Sequence, residues 1–291
     1  MSKIFFLTGS ARGLGRSLAE AILAAGHRLI ATARRPERLQ ALVQRYGDRI
    51  LPLTLDVGHA DAARLAVEQG VRVFGAIDVL INNAGCASVG AVEDMPLEAI
   101  AAQFDTNVMG SIRVIQAVLP VFRQQGAGRV IQMASVSDRI ANPGVAAFYA
   151  SQWALAGLLE SLAQEVAPLG IKVTVCEPGA MRTDFARDNS LTIFPSHPAY
   201  DPTVGDVVEM IGSPEFLASL GDPARVAEAV LKVAALHEPP LRLLLGSAMY
   251  AMGTEADRAR AAADAKWQWL SRSVDEPAHG WQTATSNSRL H

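Results

Sequence analysis

Seven short apolar runs, each bounded by turn residues and separated from the next by stretches of helical period, constrain this chain more than any other feature. They fall at 4–8, 28–32, 50–56, 78–82, 130–135, 172–177 and 242–245. Between them, 13–25 is rich in Ala and Leu, 36–46 opens on a proline suited to a first helical turn, and 155–166 repeats apolar residues at helical spacing. A strand that is apolar at nearly every position must be covered on both faces, and the intervening helices supply the cover. Right-handed crossovers then give an α/β fold, a doubly wound, mostly parallel sheet of Rossmann type with helices on both faces.

Two regions leave this rhythm. Residues 184–222 hold several prolines with Phe185, Ile193, Phe194 and Tyr200 among them and no sustained period. They read either as a lid over a pocket or as a surface loop pinned by its aromatics. After Leu245 an added C-terminal helix is expected at 255–271, with Trp267, Trp269 and Leu270 to dock it, followed by a polar tail at 274–291 that reads as disordered. The rest, 1–273, is expected to be a single domain.

With 291 residues, 50% hydrophobic and 19% charged, the chain can bury a large core. A net charge of -3 offers no basic field, which argues against nucleic acid as a partner. The start, Met1-Ser2-Lys3, runs straight into an apolar strand, and no apolar run reaches membrane-spanning length. Two cysteines, Cys86 and Cys176, suit a reducing compartment, so a cytoplasmic protein without membrane contact is expected. His27, His59, His197, His237, His279 and His291 show no metal-ligand spacing, and no metal is expected.

Directly after the first strand comes Thr8-Gly9-Ser10-Ala11-Arg12-Gly13-Leu14-Gly15, opening a helix. Glycines there let backbone N–H groups and a helix N-terminus approach a pyrophosphate, the arrangement of a dinucleotide site. At the end of the second strand, Ala33 stands where a carboxylate would bind the ribose of NAD, and Arg34 follows it. With Arg12, Arg34 can pair with a ribose 2'-phosphate, which favours NADP(H), although Arg34 and Arg35 also suit a solvated surface. Asp56 is placed either to meet the adenine edge or to cap its own strand end.

With these pieces, residues 3–245 resemble the classical short-chain dehydrogenase/reductase family. Asn82-Asn83-Ala84-Gly85 looks like its strand-bracing turn, Asn107 in Phe104-Asp105-Thr106-Asn107 like its helix asparagine, and Ser135 like its catalytic serine. Pro178-Gly179 followed by Thr183 resembles the stretch that closes on the nicotinamide end. The resemblance implies cofactor contacts from Gly9, Ser10, Arg12, Gly13, Leu14, Gly15, Arg34, Asp56, Val57, Asn83, Ala84, Gly85, Gln152, Pro178, Gly179 and Thr183. It implies a substrate pocket near Ser137, Tyr149, Phe185 and Phe194.

The match breaks at the family's Tyr-x-x-x-Lys. Alignment on Ala150-Ser151-Gln152-Trp153 puts Phe148 at the Tyr position, thirteen residues after Ser135, and Gln152 at the Lys position. Tyr149 then lies about 100° round the helix from the catalytic face, as packing or as a pocket wall. In the family the Tyr gives a proton to the substrate oxygen, the Lys holds the nicotinamide ribose and lowers the Tyr pKa, Ser135 would bond the substrate oxygen, and Asn107 would steady a water. Phe148 has no proton to give, and Gln152 has no charge.

The expected function is an NADPH-dependent oxidoreductase interconverting a ketone and a secondary alcohol, severely impaired as written. Phe for Tyr and Gln for Lys are minimal replacements, which suggests an engineered inactive variant. The alternative is a natural non-redox member of the fold: an NADP(H)-binding sensor, or a lyase, isomerase or cyclase using the same pocket. The substrate reads as an apolar or aromatic carbonyl compound or alcohol, and the Ala- and Leu-rich face of 148–167 suits a homodimer or homotetramer.

Overall fold

The computed structural model describes residues 2–183 and 190–275. In chain order its elements are β1 (Ile4–Leu7), α1 (Gly13–Ala24), β2 (Arg28–Ala33), α2 (Gln40–Tyr46), β3 (Ile50–Thr54), α3 (Ala60–Phe74), β4 (Val79–Asn82), β5 (Ala87–Val89), α4 (Leu97–Phe104), α5 (Gly110–Gln125), β6 (Gly128–Met133), α6 (Ala146–Val166), β7 (Ile171–Pro178), β8 (Leu191–Ile193), α7 (Asp206–Gly212), α8 (Pro214–Ser219), α9 (Pro223–Ala235), β9 (Arg242–Leu245) and α10 (Ser247–Arg272). Met1–Gly253 forms one compact unit, and the chain from Thr254 onward forms a second.

Seven strands form one sheet in the order β3-β2-β1-β4-β6-β7-β9, with every pair parallel. Each strand corresponds to one of the seven apolar runs. Successive side chains of a strand point to opposite faces, and the core divides accordingly. Phe6, Ile30, Leu80, Val130 and Val173 pack on one face with α3, α5 and α6, around Ala66, Val118, Phe122 and Leu159. Phe5, Leu7, Leu29, Ile81 and Cys176 pack on the other with α1 and α9, around Leu18, Ile22 and Val230. Each fully buried aliphatic side chain contributes about 1.5–3 kcal/mol, and this two-sided burial is what fixes the sheet. The strand order reverses between β1 and β4, and a doubly wound sheet opens a crevice at such a point.

The strand ends differ from the sequence reading. β6 runs Gly128–Met133 rather than through Ser135, because Ser135 caps the following turn and accepts from Ser137 N. The expectation of an unpatterned segment at 184–222 is corrected over 190–222. β8 pairs in parallel with β5, and α7 and α8 follow. Pro214, inside that segment, and Pro223, just past it, open helices beneath the caps Ser213 and Asp222, whose side chains accept from Phe216 N and Ala224 N. The excursion closes on itself where Gly221 N donates to Ala180 O and Arg182 N to Gly221 O. Phe185 and the tail from 276 onward lie outside the described residues. Trp267, Trp269 and Leu270 are exposed. Among the described residues no helix is long and apolar enough to cross a membrane.

Candidate active site

At the crevice the turn after β1 is held by β4. Thr8 N donates to Ile81 O (3.1 Å), while Thr8 Oγ1 accepts from Asn83 N (2.8 Å) and Ala84 N (3.0 Å). The Asn83 amide donates to Thr8 O and Gly9 O. Gly9 has φ +67°, a conformation that L side chains rarely adopt. A Cβ on Gly15 would fall 2.0 Å from Gly9 O and 2.6 Å from Asn83 Nδ2, so only glycine lets α1 begin this close to the turn. The helix carries no side-chain cap and no acidic residue in its first turn. Thr183 lies against Gly13, its Cβ 3.5 Å from where a Gly13 Cβ would stand.

The other residues of the expected cofactor set divide by what already holds them. Ser10 is buried and gives its hydroxyl to Thr32 O. Leu14 and Val57 are buried. Asp56 Oδ1 accepts from Gly58 N (3.0 Å), the strand-end cap. Arg12 reaches Ser190 Oγ, and Arg34 is exposed beyond the buried Ala33. Gly85 lies beside Asn107, Pro178 pairs with Leu245 at the end of the sheet, and Gly179 abuts Met249.

Asn107 sits within a π-turn, Asp105–Met109, set between α4 and α5. Such wide turns recur at functional sites. Asn107 accepts from Cys86 N and donates to Cys86 O, both at 2.9 Å, and donates to Ser151 Oγ (3.0 Å). Ser151 in turn donates to Phe148 O (2.7 Å). The asparagine thereby ties the stretch after β4 to the first turns of α6. The π-turn and Ser151 were not foreseen, because a wide turn leaves no mark in apolar periodicity.

Ser135 and Ser137 stand on the short turn after β6 with their hydroxyls 2.8 Å apart. On α6, Phe148 and Tyr149 are neighbours, ring centroids 6.1 Å apart. The Tyr149 oxygen accepts from Asn142 Nδ2 (3.1 Å). Burial pushes this phenol above its ordinary value, with Asn142 and Ser137 pulling the other way. Gln152 is buried, and its Oε1 has no hydrogen-bond partner.

Behind the serine turn lies a charge cluster. Glu177 on β7 receives Arg139 and Arg242, each with Nε at 2.5 Å. Arg242 also pairs with Glu160 at 3.0 Å and approaches Asp138 at 2.7 Å. Asp138 and Glu177 side chains are fully buried. Burial, then the nearby Glu177 carboxylate, pushes Asp138 up to about 7 against the pull of Arg242 and Arg139. Arg139 thus pairs with Glu177 on β7, and Asp138 lies against Arg242 of β9.

Phe194 does not join the Ser135–Ser137–Tyr149 group. It lines a separate hollow of about 340 Å³ with Ile193, Val204, Val208, Asp201 and Glu209. Val204 packs on Gly144, just ahead of α6, and Phe194 N donates to Val89 O. Another hollow, about 310 Å³, opens at the N-terminal ends of the strands between Lys3, Asp78, Arg129 and Lys172, away from the crevice. Its cations cap carbonyls around the end of α9, with Lys3 Nζ on Ala234 O (2.7 Å).

Residues 3–192 match the family model for short chain dehydrogenase. Oxidoreductase BOA17 of Botryotinia fuckeliana (strain B05.10) is 44% identical over 272 residues, 93% of this chain and 98% of that protein. A crystal structure of a short-chain dehydrogenase from Streptomyces avermitilis is similar at TM-score 0.87 and 35% identity, over 95% of this chain and 99% of that one. A short chain dehydrogenase from Burkholderia cenocepacia J2315, solved in complex with NADP, is similar at TM-score 0.71 and 25% identity, over 91% and 97%. With the family model matched over most of its length, the chain belongs to the short-chain dehydrogenase family and is an oxidoreductase by descent.

Proposed function

We propose that this chain binds NADP(H) and interconverts a ketone and a secondary alcohol, as a reductase silenced at its usual proton-donor pair. The observation that carries this reading is a complete cradle beside an incomplete acid–base pair. Glycine at 15 lets α1 start directly against the Gly9 turn and the Asn83 brace, and the bare N-terminus of α1 favours an anion there. The buried Gln152 Oε1, without a partner, suits a ribose hydroxyl. These features fit a dinucleotide, and the exposed Arg34 beyond Ala33 fits its 2'-phosphate. The NADP complex of the Burkholderia cenocepacia relative supports the same choice.

When bound, the nicotinamide supplies or accepts the hydride. The chain's own residues orient the substrate oxygen through Ser135 and brace the site through Asn107, Ser151 and Asn83. Phe148 offers no proton, and loss of a positioned general acid slows such reactions about 100- to 10,000-fold. The substrate we propose is an apolar or aromatic ketone, a reading supported by Ile193, Phe194 and Tyr200 in the excursion after β7 and by Trp153 on α6. We place the protein in the cytoplasm as a homodimer or homotetramer, with the exposed Trp153 and Met109 in the contact.

NADPH titration followed by intrinsic fluorescence, with NADPH consumption over a panel of ketones, tests this reading. Binding by this chain, and fast turnover only in the Phe148→Tyr/Gln152→Lys form, is the expected result. Absence of NADPH binding by both forms overturns it.

A further inference from the structure

We propose that the hollow between Lys3, Arg129 and Lys172, at the end of the sheet opposite the cofactor crevice, binds a dianionic phosphate group, free or at the end of a small monoester. These three half-buried cations line a space of about 310 Å³, with the exposed His237 beside them. Among the described residues Asp78 is the only carboxylate in the lining, and its Oδ2 already accepts from Ile4 N at 2.7 Å. Glu238 approaches the exposed His237, at 3.9 Å. The partners of the three cations are backbone carbonyls: Lys3 Nζ donates to Ala234 O (2.7 Å), Arg129 to Val233 O (3.4 Å) and Leu236 O, and Lys172 to His237 O. Two of the chain's four lysines stand here in a protein of net charge -3, so the cluster is not part of a generally basic surface.

Capping the end of α9 does not use these groups up. Each lysine spends one of its three N–H donors on a carbonyl, and Arg129 spends two of its five. A helix C-terminus carries about half a negative charge, so with Asp78 it offsets only about half of three full positive charges. Burial, then the nearby Arg129, holds Lys3 below its ordinary value against the pull of Asp78, and burial lowers Arg129 as well. The cations are crowded and short of counter-charge, and a dianion supplies what is missing. A phosphate group offers several acceptor oxygens at once, which suits two ammonium point charges and the planar fork of Arg129. The hollow has the volume of about ten waters, more than a bare phosphate fills, which leaves room for a small organic body.

The test uses the full chain, isotopically labelled at lysine Cε and followed by NMR during titration with inorganic phosphate, with glycerol phosphate and, at matched ionic strength, with chloride. The chain has four lysines, and Lys3→Gln and Lys172→Gln assign the two at the hollow. We expect both phosphates to move the Lys3 and Lys172 signals saturably while Lys232 and Lys266 stay in place. Tighter binding of glycerol phosphate identifies a phosphorylated small molecule as the occupant, and equal binding identifies free phosphate. Arg129→Gln should weaken the response about 10-fold, the scale of one hydrogen bond to a charged group. Asp78→Asn keeps an oxygen for Ile4 N, removes the competing charge and should tighten binding, an effect that a purely structural role for these cations does not produce. Thermal melting shows whether each variant is folded, and the gain in Asp78→Asn decides the matter should Arg129→Gln fail to fold. Gly15→Ala should leave the shifts unchanged, because the Gly9 turn lies about 20 Å from Lys3 at strand rise. Shifts that chloride reproduces, shifts that do not saturate, or saturable shifts indifferent to Asp78→Asn overturn the site. Loss of the shifts in Gly15→Ala places the anion at the cradle and overturns it too. None of these outcomes depends on the reductase reading.

Discussion

Around Gly15 the backbone has no latitude: a single methyl group would fall 2.0 Å from a carbonyl oxygen. Around Phe148 the fold is indifferent to chemistry, since α6 forms, Ser151 bonds the Phe148 carbonyl, and Asn107 bonds Ser151 whatever ring stands at 148. The cradle is specified by backbone geometry, and the acid–base face by side-chain functional groups on a helix that would exist without them. Binding and turnover are therefore separable here, and substitutions can move one without the other.

The sharpest test of that separation is the double substitution Phe148→Tyr/Gln152→Lys. A phenol beside an ammonium restores both the proton and the field that lowers its pKa, so kcat should rise about 100- to 10,000-fold. NADPH affinity should change by less than about 10-fold, since Gln152 already offers a polar contact. Parallel changes in kcat and in NADPH affinity, measured by steady-state kinetics and fluorescence titration, would break the separation. Gly15→Ala is the converse. The backbone must shift to admit its methyl group, and overpacking of this kind costs about 1–3 kcal/mol. NADPH affinity should fall by about 10-fold or more by titration, while helix content by circular dichroism is retained. Tight binding in Gly15→Ala would show that the cradle is not where the anion sits. A smaller effect is expected at Arg34: Arg34→Ala should lower the preference for NADPH over NADH by about 10-fold, the scale of one exposed charge-assisted contact. An unchanged ratio of the two affinities would return Arg34 to the solvated surface.

The sheet was legible because strand-length apolar runs can be buried on two faces in few ways, and Phe5, Phe6 and Leu7 divide between those faces as alternation requires. Gly9, Gly15 and Asn83 were legible because sterics and a polar brace demand those residue types. Other features were hidden for physical reasons. The π-turn at Asn107 inserts no breaker residue, and β5 with β8 is only three residues long on each side. The Asp138–Arg242 approach joins residues more than a hundred positions apart, and nothing local in either stretch announces a partner. Tyr149 was placed by helical rotation as packing or a pocket wall; its hydrogen bond from Asn142 depends on how the stretch after β6 meets α6, which no periodicity encodes.

The charge cluster behind the serine turn gives the mildest test of whether the catalytic side is rigid scaffold or adjustable chemistry. Asp138 titrates near 7 in the folded protein against 3.8 for the ordinary carboxyl, because burial and Glu177 outweigh Arg242 and Arg139. Between those values the folded chain keeps a proton that the unfolded chain has released, so folding holds more protons and stability falls as pH rises from about 4 to about 7. Above 7 both states are ionised and the loss is complete. Asp138→Asn keeps the shape and removes the titration, while Arg242 retains Glu177 and Glu160. Its melting temperature relative to the parent should therefore rise across pH 5–7 and level off by about pH 8, a shift of a few degrees for a domain of this size. A difference that stays constant from pH 5 to 8 would mean that Asp138 is ionised throughout, held by Arg242. The turn carrying Ser135 and Ser137 would then rest on a fixed ion pair rather than on a neutral carboxyl.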